Sequence, residues 1–274
     1  MKLLILGARG MAGHLMAKYL RTQTLHTVYS TSRVRRDPIH LYADMNDWLS
    51  VEKLIESVAP DVVINCVGVL NQFAEADPVH AFWTNGILPH RLSELMDRIS
   101  GKLIHISSDC VFLGTKGFHH EEDEPDGTTV YARSKALGEV KAAPHLTIRT
   151  SIIGPEIRST GIGLMQWFLS RQGDVPGYTR AMWNGVTTLE LAKFVQFVLD
   201  RDDDLTGLVH LTAPESISKY NLLGVMQQVF HKTDVNVISE PALQIDRTLL
   251  HTRADVQYVV PTYIQMLEDL RVWM

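Results

Sequence analysis

Tyr131 and Lys135, within Tyr131-Ala132-Arg133-Ser134-Lys135, stand four residues apart and therefore share one face of a helix. A cation beside a phenol favours the ionised form, so this spacing predicts a tyrosine whose pKa falls towards working pH and which can exchange a proton with a carbonyl oxygen. The pattern alone also occurs as a solvated pair on helix surfaces. Ser107-Ser108-Asp109 adds to it, because it follows an apolar run ending at Ile106, at the end of a strand where ligands bind in open α/β sheets. Ser108 can hydrogen-bond the same oxygen as Tyr131. Ser108, Tyr131 and Lys135 are thus the candidate catalytic residues.

A second pattern supplies a reason for proton transfer. Gly7-Ala8-Arg9-Gly10-Met11-Ala12-Gly13 directly follows an apolar strand and opens a helix. Glycines there permit a tight turn and close approach of a pyrophosphate, which the helix N-terminus then binds through free N–H groups. At the end of the next strand, an acid would favour a free ribose 2′-hydroxyl and an arginine a 2′-phosphate. The residues are Ser30-Thr31-Ser32-Arg33, without an acid. Arg33, helped by Arg9, points to NADPH with NADH as the alternative, although both arginines also suit a solvated surface. Asp44-Met45 suits the adenine edge, or else the start of a helix for which Asn46 would be a good N-cap.

These residues need a scaffold, and the pattern supplies one. Short apolar runs at Lys2 to Leu6, Thr27 to Thr31, Val62 to Val67, Leu103 to Ile106 and Leu146 to Arg149 read as strands. Between them, apolar residues at helical spacing mark helices around Leu15/Met16/Tyr19/Leu20, Trp48/Val51/Leu54/Ile55/Val58 and Leu88/Leu92/Leu95/Met96. The alternation predicts an α/β fold with a Rossmann-type, doubly wound parallel sheet. From Leu113 to Gly127 the periodicity stops, which reads as a rim loop whose Glu121-Glu122-Asp123-Glu124 run is solvated. After Arg149 the pattern weakens to helices at Leu189 to Leu199, Tyr220 to Phe230 and Tyr263 to Trp273, with strands near Leu208 to Leu211 and Val235 to Ile238. This divides the chain into a dinucleotide-binding domain over 1–153, completed by about 184–212, and a smaller C-terminal α/β substrate-binding lobe from 154–183 and 213–274.

Composition narrows the partners. The 274 residues carry 31 acidic and 26 basic side chains, net charge −5, without a basic block, which argues against nucleic acid. Two cysteines, Cys66 and Cys110, cannot build a disulfide framework and fit a reducing cytoplasm. No apolar run reaches membrane-spanning length. His14, His105, His119 and His120 lack ligand spacing, so no metal is expected and they read as structural or solvated. Cys110 reads as a small apolar filler near the ketone site.

Taken together, the glycine turn in its G-x-x-G-x-x-G spacing, Asn65-Cys66-Val67-Gly68, Ser108 and Tyr131/Lys135 resemble the extended short-chain dehydrogenases. HISSDCVFLGTKG, VYARSKALGE, IRTSIIGPE and ADPVHAFWTNGILP look like the dTDP-4-dehydrorhamnose reductase branch, clearly over residues 1–155 and more loosely onward. The resemblance implies reduction of a nucleotide-linked 4-keto-6-deoxy sugar for surface polysaccharide synthesis. In that role Tyr131 protonates the C4 oxygen, Ser108 orients the ketone, and Lys135 binds the nicotinamide ribose. It also implies cofactor contacts at Gly7, Arg9, Gly10, Met11, Gly13, Cys66, Val67, Gly68 and Asn85. Related dehydratases carry two acids after the hydroxyl residue; here Asp109 is followed by Cys110, which argues against dehydration.

Substrate-binding candidates are Val69, Asn71, Ser108, Asp109, Cys110, Arg149, Trp183 and Asn184. Trp183 suits either a flat face for a base or sugar, or packing between lobes. The tail ALQIDRTLLHTRADVQYVVP departs from the dTDP-rhamnose pattern and points to a neighbouring branch acting on a UDP-linked 4-keto-6-deoxy-N-acetylhexosamine, leaving UDP and dTDP both open. A homodimer stays open as well. The rival readings are an epimerase that retains NAD and a non-catalytic, NADP-binding regulatory subunit.

Overall fold

The computed structural model describes residues 1–157, 161–201 and 203–274. In chain order its first half holds β1 (Lys2–Leu6), α1 (Met11–Gln23), β2 (Thr27–Ser32), β3 (Leu41–Tyr42), α2 (Trp48–Val58), β4 (Val62–Asn65), α3 (Asn71–Ala76) and α4 (Pro78–Ala81). A π-helical turn, Phe82–Ile87, leads into α5 (Leu88–Arg98), then β5 (Lys102–Ile106), a 3₁₀ turn at Asp109–Val111, α6 (Val130–Leu137) and β6 (Leu146–Arg149). The remainder comprises β7 (Ile152–Ile153), α7 (Leu164–Leu169), β8 (Gly173–Trp183), β9 (Val186–Thr187), α8 (Thr188–Leu199), β10 (Gly207–His210), β11 (Ile217–Ser218), α9 (Lys219–Phe230), β12 (Val235–Asp246) and α10 (Tyr263–Trp273).

The main sheet has the order β10-β6-β5-β4-β1-β2-β3, every neighbouring pair parallel. Such strands are covered on both faces, which explains continuous apolar runs instead of alternation. On β1, Leu3 and Ile5 enter the cluster formed with α1 and α8, whereas Leu4 and Leu6 enter the opposite one with α2 and α5. Strand order reverses between β1 and β4, so the crevice beyond their carboxyl ends, at Leu6 and Asn65, is the topological switch point.

A second sheet, β11-β8-β12, pairs β8 parallel with β12 and antiparallel with β11. β8 did not register as a strand in the sequence because Gly173, Pro176 and Gly177 interrupt it. β12 runs well past the expected Ile238, and its pairing slips at Glu240/Gln244. Trp183 belongs to the apolar cluster under this sheet, with its ring 5.7 Å from that of Tyr263. It therefore packs between elements and does not offer a face to a ligand.

Two further expectations are corrected by burial. Arg149 is fully buried, and its Nε and Nη2 donate to the Glu139 carboxylate at 2.8 and 2.6 Å. The guanidinium lies 4.9 Å from the Phe112 ring centre, Nη1 sits 2.9 Å from His210 Nε2, and Ser107 donates to Glu139 at 2.8 Å. An arginine spent in this way has nothing left for substrate. Nor is Glu121 solvated: buried, it accepts from the backbone N–H of His210 at 3.1 Å and from the N–H and hydroxyl of Thr252. It thereby ties the 113–127 segment to the C-terminal tail, as does the bridge between His119 and Leu249.

Burial opposes charge on Glu121, but hydrogen bonds from His251 and Thr252, with His210, outweigh it and hold the carboxyl down to about 2, against 4.5 ordinarily. This tie is complete above pH 4.5 and weakens as pH falls from there towards 2. Glu121→Gln is expected to flatten the acid limb of stability over that window, measured by urea unfolding at stepped pH. Arg149→Met, which strands the buried Glu139 charge, is expected to cost about 3–5 kcal/mol in the same assay.

Candidate active site

The glycine turn has the shape its sequence requires. Gly7 sits at φ +81°, and a Cβ there would lie 3.0 Å from the Val67 side chain. At Gly13 a Cβ would fall 2.3 Å from the Gly7 carbonyl oxygen, so only glycine lets α1 approach the turn this closely. Gly10 caps α1 without a side-chain hydrogen bond, which leaves first-turn N–H groups available to an anion. Met11 begins that helix. These residues fit a dinucleotide pyrophosphate. Cys66, Val67 and Gly68 lie directly across the crevice, after β4.

At the adenosine end, Arg33 is exposed beyond β2, while Arg9 is engaged with Asp37 at 3.2 Å. Asp37 also accepts from Ser32 at 2.9 Å and from the N–H groups of Ile39 and His40. These hydrogen bonds, that from Ile39 foremost, pull its carboxyl down to about 2 although burial opposes them. The strand end thus does hold an acid, brought back by the β2–β3 loop and so hidden from the local reading of residues 30–33. Asp44 folds its carboxylate onto Asn46, and Met45 offers its carbonyl to Trp83 Nε1 at 2.9 Å. The N-cap of α2 is Asp47, bonded to the Ser50 N–H at 3.2 Å, and not Asn46.

At the other end, α6 carries the candidate chemistry. Thr129 caps it by accepting from the Ala132 N–H at 3.1 Å. Asn85, buried in the π-helical turn, donates to Ser134 at 3.1 Å and to the Val69 carbonyl at 3.0 Å, which locks α6 against the segment after β4. Gly138 is required here, since a Cβ would lie 1.9 Å from the Asn85 carbonyl oxygen. Tyr131 packs with Val69, Cys110, Ala74 and Ala81. Ser108 closes the group, its hydroxyl accepting from the Cys110 N–H at 3.1 Å and donating to Asp109 at 3.2 Å. Lys135 is buried and donates to the Ile106 carbonyl at 2.6 Å. Asn71 is exposed at the start of α3, and Asn184 spends both ends of its amide on the Leu249 backbone, at 2.7 and 3.1 Å.

The electrostatics depart from the sequence expectation. Burial, then the neighbouring Cys110 and Asp109, push the Tyr131 phenol above its ordinary range, with a hydrogen bond to Ser108 acting the other way. Lys135 is lowered to about 8, mainly by burial, while Glu139 and Cys66 resist. Tyr131 is therefore held as a neutral acid instead of being drawn towards the phenolate. Burial also raises the Asp109 carboxyl, and Arg247 opposes the shift.

Arg247 was not foreseen. It follows β12, places Nη1 3.6 Å from Cys110 Sγ, and leaves Nε buried without a partner. Among the described residues no carboxylate forms an ion pair with it. Nothing local in its sequence signals this, because Cys110 lies 137 residues away along the chain.

A glycine turn at the switch point and a Ser-Tyr-Lys group on the adjoining sheet edge define an oxidoreductase of the extended short-chain dehydrogenase type. The chain belongs to the RmlD substrate binding domain family, whose model matches residues 1–249. It is 30% identical over 235 residues to a probable low-salt glycan biosynthesis reductase, Agl14, of Haloferax volcanii, covering 78% of this chain and 75% of that one. It is 29% identical over 250 residues to methionine adenosyltransferase 2 subunit beta of Xenopus tropicalis, covering 83% and 72%. Its fold matches the crystal structure of a dTDP-4-dehydrorhamnose reductase from Bacillus anthracis in complex with NADP, with TM-score 0.84, 18% identity and 99% of each chain covered. No helix among the described residues is long and apolar enough to cross a membrane.

Burial raises both thiols to about 12 from 9.0, with Asp109 adding to the rise at Cys110. At pH 8 their alkylation in the native protein is expected to be about a thousandfold slower than in urea, where both cysteines label at ordinary rates. Mass spectrometry of timed iodoacetamide reactions measures this.

Proposed function

We propose that this protein reduces the C4 ketone of a nucleotide-activated 4-keto-6-deoxy sugar, using NADPH, with NADH as the alternative. The observation that carries the reading is the placement of Tyr131 and Ser108 around Cys110 at the mouth of a dinucleotide crevice. Reduction of a ketone requires a proton donor at the developing alkoxide, and a phenol is in the donor form at neutral pH. When bound, the nicotinamide supplies the hydride.

The chain's own residues supply the rest. Gly7 and Gly10 close the turn, the Gly10 N–H donating to the Gly7 carbonyl at 2.9 Å and the Gly7 N–H to Thr31 at 3.3 Å, so that the first-turn N–H groups of Met11 and Gly13 meet the pyrophosphate, and Cys66, Val67, Gly68 and Asn85 form the opposite wall. Arg33 and the Arg9–Asp37 pair lie at the adenosine ribose, with Asp44 and Met45 at the adenine edge. The Ser108 hydroxyl turns from Asp109 to donate to the ketone oxygen and orient it, and Tyr131 delivers the proton there. Lys135 stands at the nicotinamide ribose. Val69, Asn71, Asp109 and Cys110 border the sugar, and the described residues of the substrate-binding segments 154–183 and 213–274 complete the pocket. Arg247, without an ion-pair partner among the described residues, supplies a cation for the nucleotide diphosphate. The departure of the tail from the dTDP-rhamnose pattern favours a UDP-linked N-acetylhexosamine, and a role in surface polysaccharide synthesis accords with the glycan-biosynthesis relative.

The likeness to a methionine adenosyltransferase subunit supports a second reading, a regulatory subunit that binds dinucleotide without turnover. One assay separates the two: oxidation of NADPH or NADH by purified protein, with UDP- and dTDP-linked 4-keto-6-deoxy sugars generated in the same tube by a dehydratase. Turnover supports the reductase; silence with every pair, despite dinucleotide binding, supports the subunit. Given turnover, Tyr131→Phe is expected to lower kcat by about 10²–10⁴-fold with NADPH binding retained. Arg247→Met is expected to raise KM roughly tenfold or more with kcat little changed, the loss of a charged hydrogen bond of ~1.5–3 kcal/mol.

A further inference from the structure

Beneath Lys135 lies a buried polar pair that the reaction above does not use. Asn65 on β4 and His105 on β5 are paired across the sheet, and both are fully buried. The Asn65 amide has one orientation, because its Oδ1 accepts from the Val67 N–H at 3.1 Å. Its Nδ2 therefore faces His105 Nδ1, also at 3.1 Å. An amide nitrogen only donates, so Nδ1 must accept, and the neutral imidazole carries its hydrogen on Nε2. That nitrogen points at Lys135 Nζ, 3.4 Å away.

An ammonium group has donors only and would meet the Nε2 hydrogen donor against donor, whereas a neutral amine has a lone pair to receive it. We propose that His105 is a positioning residue for Lys135: held by Asn65 in the Nε2–H tautomer, it donates to the lysine and favours the neutral amine. The amine keeps an N–H for the Ile106 carbonyl, 2.6 Å away. Charge at the nicotinamide-ribose position is then set from below by hydrogen-bond polarity, and Lys135 gains or loses a proton near neutral pH instead of staying a permanent cation.

The surroundings agree. His105 lies far below the ordinary imidazole range, first through burial and then through the charges of Lys135 and His90, so it stays neutral. The titratable groups facing Lys135 are His105 on β5, Cys66 after β4 and Glu139 beyond α6. Cys66 and Glu139 favour the ammonium form, and the lowering of Lys135 to about 8 shows burial prevailing over them.

The proposal rests on the reductase reading only for its kinetic consequence, so the first test needs no turnover. Nitrogen-15 NMR of histidine-labelled protein, with His105 assigned by its loss in His105→Gln, is expected to show the Nε2–H tautomer, not titrating from pH 6 to 9. A Nδ1–H tautomer or an imidazolium in that range overturns the proposal. Asn65→Leu keeps the size but removes the donor without adding charge, which frees the ring to take the Nδ1–H tautomer and turn Nε2 into an acceptor for the ammonium. Lys135, followed by its own ¹⁵Nζ signal, is then expected to titrate on the order of one pH unit higher. If the enzyme turns over, the alkaline limb of kcat/KM moves with it. A flipped ring with unmoved Lys135 titration refutes the coupling, and should Asn65→Leu fail to fold, the wild-type tautomer decides alone.

Discussion

The buried pair of Arg149 and Glu139 is the contact on which the rest of this architecture leans. A guanidinium with no exposure must be paired, and the carboxylate that answers it follows α6, the helix carrying Tyr131 and Lys135. Through that one contact β6 is tied to the end of α6, through Ser107 to the end of β5, and through His210 to β10. His210 in turn passes the link to Glu121 and the C-terminal tail. The carboxyl edge of the sheet is thus held by charge-assisted hydrogen bonds where apolar packing ends and a ligand crevice begins.

That edge produces an unusual distribution of protons. Burial raises the acids Tyr131, Asp109 and Cys110 and lowers the base Lys135, so the cluster is biased towards neutral forms. Arg247 is the exception, a lasting cation at the rim supplied by the second sheet. A centre that donates a proton at one atom and meets an anionic ligand at another needs this division. The interior stays neutral and low in dielectric, and charge is confined to where solvent or ligand can answer it.

Much of the scaffold was legible in the chain. Lys2–Leu6 and Leu146–Arg149 could be read residue for residue, because a strand buried on both faces writes itself as an unbroken apolar run. β8 was not legible: Pro176 and two glycines erase its pattern, and its pairing partner β12 lies more than fifty residues further along. The glycine turn was readable because a positive φ and a 2.3 Å approach admit one residue type. For the converse reason Arg149 reads as a ligand contact when it is buried, and the two readings of Trp183 are separated only by its burial: neither residue type declares whether it is buried.

The amino-acid sequence by itself determined what depends on local backbone geometry: the strand and helix periodicities, the turn that suits a dinucleotide, and the four-residue spacing that sets Tyr131 and Lys135 on one helical face. Only the tertiary structure decided which distant groups meet them. It put Arg247 beside Cys110, Asp37 at the end of β2, Glu139 on Arg149, and the Asn65–His105 pair beneath Lys135. Periodicity and spacing are set by bonds along the chain. Burial and charge pairing, which govern proton affinity, arise only when segments far apart in sequence are brought out of water together.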